Sequence, residues 1–196
     1  MPETKYEYRR IAELAESLEK HGVAPEIIAE IMEGGEEIRK GSTGEEKAAW
    51  LRGAMLRMGR LLDKEIWQPV REDCACCLGG KRHELVKAIA KKGGTLEERV
   101  AAANEAKLVF GHSVTLQEDG KVLVCFSPEG LEHYRCSCLG QVKEPLPISY
   151  CYCCGGHVKH HLQTALGRKL ALTVRSSALS SGGRKPCTFL FSLESE

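Results

Sequence analysis

The sequence predicts an α+β protein, with a helical N-terminal half packed on an antiparallel β-sheet domain that carries one covering helix. Three observations predict it. Apolar residues recur at spacings of three and four as far as Ala103, with helix-capping signals between the runs. Beyond that point the apolar period shortens to alternation, broken by turn residues at Glu118-Asp119-Gly120 and Ser180 to Lys185. A single helix-like run, from Cys154 to Gly167, interrupts the alternating segments. A chain of 196 residues suits one domain or a small domain with a helical extension. The expected division is a helical region over 1–70 and a cysteine-rich α+β domain over 71–196.

Ile11, Leu14 and Leu18 lie on one face of a first helix, which Gly22 ends. Pro25 suits a first helical turn, and Ile27, Ile28 and Ile31 give a second helix closed by Gly34-Gly35. Ser42 or Thr43 with Glu45 and Glu46 is a capping-box signal. It opens a long third helix whose stripe runs Leu51, Met55, Met58, Leu62 and Ile66, stopped by Pro69. A short helix carrying Leu85, Val86 and Ile89 follows, then one capped by Thr95 and Glu98, with Leu96, Val100 and Ala103 on one side. Strands are expected at 108–110, 112–116, 122–126 and 133–138. Pro145 and Pro147 mark a connection. Val158, Leu162 and Ala165 share a face of the covering helix, Gly167 stops it, and 170–175 with 188–193 form the last strand pair.

Charge excludes one class of function. The 28 basic and 27 acidic residues are interspersed and the net charge is +1, so no basic surface for nucleic acid is expected. The N-terminus lacks the apolar run of a signal peptide, and no stretch has the apolar length of a membrane span. A cytoplasmic location is therefore expected, where ten cysteines point to metal binding or thiol chemistry.

Eight of those cysteines fall in three groups: Cys74, Cys76 and Cys77; Cys136 and Cys138; Cys151, Cys153 and Cys154. The first and last are Cys-x-Cys-Cys runs leading to a glycine pair, a histidine and a helix, and they read as two halves of one thiolate-rich site. Thiolates are soft ligands for zinc, copper(I) and iron–sulfur centres. A helix start lowers thiol pKa, and the glycine pairs let backbone approach a ligand. Adjacent side chains diverge, so no more than two thiols of each run can reach one ion. Zinc is the favoured metal and an iron–sulfur cluster the alternative; a dithiol redox role is a third reading. His157, beside three cysteines, joins the candidate ligands, with His161 on the same helical side. His160 is expected to point elsewhere, and His83 and His112 are weaker candidates. Cys125 and Cys187 read as small core residues. There is no nucleophile elbow, phosphate-cradling loop or HExxH motif.

From Tyr150 to Leu193 a Cys-led helix, the Leu166-Gly167-Arg168 exit, a strand and a hairpin with Gly183, Cys187 and Phe189 follow one another. This pattern resembles the end of the 4-vinyl-reductase (hydrocarbon-binding) sensor domains and is similar to the 2-aminothiazoline-4-carboxylate hydrolase family. The resemblance implies an α+β sheet domain with an internal pocket for a small apolar or mixed ligand, often as a homodimer. Sensor domains of that kind bind zinc through an acidic residue and a second cysteine where this chain has Ser176 and Leu179, so that site does not carry over. The expected function is a cysteine-rich metal-binding protein with a small-molecule pocket, in a sensor or accessory role. A metal- or thiolate-dependent enzyme on a small sulfur- or nitrogen-containing substrate, or an iron–sulfur redox protein, are the alternatives.

Overall fold

The structure, a computed structural model, describes residues 5–140 and 142–194. Eight α-helices and four strands follow in order among the described residues. The helices of the first half are α1 (Arg9–Lys20), α2 (Pro25–Ile31), α3 (Gly44–Leu61), α4 (Lys64–Asp73), α5 (Gly80–Lys92), α6 (Leu96–Glu105) and α7 (Lys107–Phe110). Strands β1 (Ser113–Leu116) and β2 (Val122–Cys125) follow, then α8 (Tyr152–Leu166), β3 (Leu170–Ser176) and β4 (Thr188–Leu193). The fold is α+β, and the sheet is antiparallel throughout in the order β1-β2-β4-β3.

At three helix ends local chemistry acts as the sequence predicts. Thr43 and Glu46 form a reciprocal capping box at α3, and Thr95 with Glu98 forms another at α6. Gly167 closes α8 in the left-handed conformation that glycine adopts without a Cβ penalty. The hairpin between β1 and β2 turns at Asp119-Gly120, where Gln117 N–H meets the Lys121 carbonyl at 2.7 Å.

β4 inserts between β2 and β3, which brings the chain just before it against the chain just after β2. Cys125 pairs with Thr188, and Phe126 N–H donates to the Cys187 carbonyl at 3.0 Å. The loop that follows β2 is thus anchored beside Cys187. α8 is more than a cover for the sheet. It packs against α4, α5, α6 and β3, and Tyr152, Cys153, Gly155, Gly156, Val158, His161, Leu162, Ala165 and Leu166 are all buried. A helix buried on several faces is the spine of a core, and its first turn lies where helical half and sheet meet.

Four expectations are corrected. The stripe from Leu51 to Ile66 does not belong to one helix: Leu62 is extended, Asp63 starts α4, and Ile66 is exposed. Pro69 lies inside α4, where it forgoes one backbone bond, to the carbonyl four residues earlier. Residues 108–110 are helical, because Val109 and Phe110 N–H groups both bond the Ala106 carbonyl and Gly111 closes the turn. Three apolar residues in a row carry no period, so strand propensity misleads there. Residues 133–138 form no strand. Gly140 N–H returns to the Cys136 carbonyl at 2.9 Å, and this tight turn leaves only the isolated Cys136–Gly140 bridge.

Candidate metal centre

Four segments deliver cysteines to the junction. The first is the loop between α4 and α5. Cys74 ends α4 and turns inward, its thiol donating to the Val70 carbonyl at 3.3 Å with the Glu13 carbonyl at 3.7 Å. Cys77 takes a left-handed backbone conformation, φ 62°, the only non-glycine residue among those described to do so. Such a conformation persists where the surroundings hold it. The second is the Cys136–Gly140 turn, in which Cys138 N–H donates to the Cys136 sulfur at 3.4 Å. The third is the first turn of α8, with Cys153 and Cys154. The fourth is Cys187, just before β4.

Cys76, Cys77, Cys138, Cys153, Cys154 and Cys187 line one cavity of about 400 Å³. Within it the sulfurs of Cys138 and Cys154 lie 3.1 Å apart. Cys151 is elsewhere, its thiol donating to the Ser177 hydroxyl at 2.9 Å, and Cys74 is packed in the core. Cys136 stays linked to the centre through Cys138 but faces a neighbouring cavity. The two Cys-x-Cys-Cys runs therefore do converge, each with one thiol withdrawn. Among the described residues no three cysteine sulfurs lie within 4.8 Å of one another. The glycine pair of α8 serves packing: a Cβ on Gly155 would strike Leu172, and one on Gly156 would sit 2.8 Å from Glu72 Cα.

Cys138 is the hub of the thiol network. Its hydrogen bond with Cys136 acts upward on its pKa, but those from Cys153 and Cys154 outweigh it and bring the thiol down to about 7. The donors are held protonated. Cys154 is pushed well above 9 by its bonds with Cys138 and Cys153 and by burial, and Cys153 is raised by Cys138. Burial and Cys77 raise Cys76 to about 11, and burial raises Cys151 to about 12. In metal-free protein, iodoacetamide is expected to label Cys138 at a rate that falls as pH drops through about 7, the direction set by losing the thiolate. Labelled-peptide mass spectrometry across pH checks this; a Cys138 profile that rises only near pH 9, the ordinary value, contradicts it.

Two arginines face these thiols. Arg71 is 2% exposed; its Nη2 donates to the Tyr150 carbonyl at 3.0 Å and its guanidinium lies 5.1 Å from the Tyr150 ring centre. Burial acts to discharge it, while any negative charge that Cys74 or Cys153 carries acts the other way and raises its pKa above the ordinary arginine value. Arg10 donates to the Tyr150 hydroxyl and to the Cys138 carbonyl, both at 3.1 Å. Burial acts downward there too, and Tyr150 and Cys138 raise the pKa above the ordinary arginine value. Among the described residues no carboxylate forms an ion pair with either arginine.

The histidines divide. His157 lines the cavity, and its Nδ1–H donates to the Cys76 carbonyl at 2.8 Å; burial lowers its pKa. His161 is fully buried and its Nε2–H donates to the Cys77 carbonyl at 3.2 Å. Burial brings it to about 4, so it is a neutral imidazole. His160 does not point elsewhere: it joins His161 and His83 in a cluster behind the α4–α5 loop. His112 is exposed at the entrance to β1.

The fold and site define an α+β protein with a cysteine-lined cavity at the meeting of its helical half and its sheet. Residues 5–187 match a family described as a family of unknown function, DUF6144, and the chain belongs to it. No curated protein and no solved structure matches the chain.

Proposed function

We propose that the chain is a cysteine-rich metal-binding protein that holds zinc through Cys76, Cys138, Cys153 and Cys154, beside a small-molecule cavity, in a sensor or accessory role. The observation that carries this reading is a pair of arginines, Arg71 buried and Arg10 half-buried, that form no ion pair with a carboxylate among the described residues. An uncompensated buried charge costs several kcal/mol, and arginine cannot escape by losing its proton. The groups available to oppose it are the thiols, and a metal stabilises thiolates where water cannot. Four thiolates and one Zn²⁺ carry two net negative charges, matching the two guanidiniums. Lys107 and Arg135 beside Val109 and Phe126 on the cavity wall suit a small ligand with an apolar body and an acidic group.

The spacing of the sulfurs favours an iron–sulfur cluster as a second reading. Zn–S bonds of about 2.3 Å set sulfurs about 3.8 Å apart, whereas among the described residues no three cysteine sulfurs lie within 4.8 Å of one another.

Elemental analysis of anaerobically purified protein, with melting curves before and after chelation, tests both readings. One zinc per chain is expected to disappear in the Cys153→Ser/Cys154→Ser variant. Removing a tightly held metal lowers stability by about 4 kcal/mol at a thousandfold excess over Kd, or about 8–16 °C for a chain of this size. Iron with sulfide in place of zinc selects the cluster. Metal content unchanged by the double substitution, or melting indifferent to chelation, overturns the thiolate centre.

A further inference from the structure

The three-histidine cluster is outside the thiolate centre and answers to different chemistry. His83 comes from α5, His160 and His161 from α8, and their ligand nitrogens all lie within 4.8 Å of one another. His83 and His160 rings stack at 6.0 Å, and the His160 and His161 rings meet edge-on at 5.2 Å.

A second observation points to a ligand. His83 Nδ1 and His161 Nδ1 are buried and have no hydrogen-bond partner. His161 is 0% exposed, and a buried ring nitrogen without a partner is costly unless something satisfies it. Its other nitrogen is occupied: Nε2–H is fixed on the Cys77 carbonyl. That bond selects the tautomer with a lone pair on Nδ1 and holds the ring, as carbonyls do behind metal-bound histidines. The left-handed conformation of Cys77 accompanies this carbonyl's placement.

We infer that His83, His160 and His161 form a second metal site, for a borderline divalent ion such as zinc, with Nδ1 of His83 and of His161 as ligands. Zn–N bonds of about 2.1 Å set nitrogens about 3.4 Å apart, so rotation of the partly exposed His83 and His160 onto the fixed His161 closes the set. Three imidazoles leave one tetrahedral position free, and the solvent reaching His83 and His160 can fill it with water or a small anion. All-nitrogen ligation separates this site from the thiolate centre in both metal preference and spectrum.

Cobalt(II) titration of metal-depleted full-length protein tests the inference. Two equivalents are expected, one with strong sulfur-to-cobalt charge transfer and one with only the weaker bands of nitrogen and oxygen ligands. His83→Ala and His160→Ala, both at partly exposed positions, are each expected to weaken the second equivalent at least about tenfold and to leave the charge-transfer bands intact. Cys153→Ser/Cys154→Ser should abolish charge transfer and keep the nitrogen-ligated equivalent; if that variant does not fold, the two histidine variants decide alone. Nitrogen-ligated cobalt that survives both histidine substitutions, or protein that takes up no nitrogen-ligated cobalt, overturns the site. A nitrogen-ligated equivalent without charge transfer in the wild type upholds it while rejecting the thiolate centre.

Discussion

Arg71→Met is expected to lower the stability of the metal-loaded protein by about 3–5 kcal/mol, the range for removing one partner of a buried ion pair. For a chain of this length that is a fall in melting temperature of about 6–20 °C, together with faster metal loss to a chelator. Methionine fills the volume of the arginine stem, so the charge is the main thing withdrawn. The bond from Nη2 to the Tyr150 carbonyl is also lost, but it is lost with or without metal. The difference between the two forms therefore isolates the electrostatic part. With neutral thiols around it, the guanidinium is an isolated buried charge, and methionine should be neutral or stabilising in metal-free protein. Urea unfolding of both forms measures the difference. Equal effects on loaded and metal-free protein would mean that the thiols carry no charge for Arg71 to balance.

The second large effect belongs to Gly156→Ala, expected to cost about 3 kcal/mol or a melting temperature lower by about 6–12 °C. The added Cβ meets the Glu72 backbone, with Cα at 2.8 Å. Backbone cannot rotate aside as a side chain can, so α4 and α8 must separate. That movement also displaces Arg71 and the first turn of α8, and metal affinity should fall with stability. Gly155→Ala makes the comparison: the nearest atoms to its Cβ belong to the Leu172 side chain, and a smaller loss is expected. Thermal denaturation of both variants checks the order; a Gly156→Ala protein as stable as wild type would contradict the close packing of α4 on α8.

Signals confined to a few neighbouring residues were legible in the sequence. Thr43 and Glu46, Thr95 and Glu98, and Gly167 act within one helical turn, and the structure has each of them at a helix end. The cysteine groups were legible for the same reason, as runs. What could not be read is the direction of each side chain. Cys74 and Cys76 look alike in sequence, yet one is committed to the Val70 carbonyl and the other lines the cavity. Cys187 reads as a core residue because its neighbours across the sheet come from a strand more than sixty residues earlier. Arg10 and Arg71 look like any charged position on an amphipathic helix, and only burial sets them apart. The glycine pair was visible, but its reason, the approach of α4, is tertiary.

The separation of the cavity-lining cysteines along the chain bears on the order in which the protein assembles during synthesis. Cys138 and Cys154 are 16 residues apart, close enough for the turn and the start of α8 to meet as soon as both have emerged. The α4–α5 loop reaches the same region across far longer spans, 81 residues from Cys76 to His157 and 84 from Cys77 to His161. Loop-closure entropy grows slowly with length, but contacts so distant form late. The nascent chain thus offers a two-thiol foothold first. The complete set of thiols becomes available only when the N-terminal helices, made earliest, dock onto a helix made near the end.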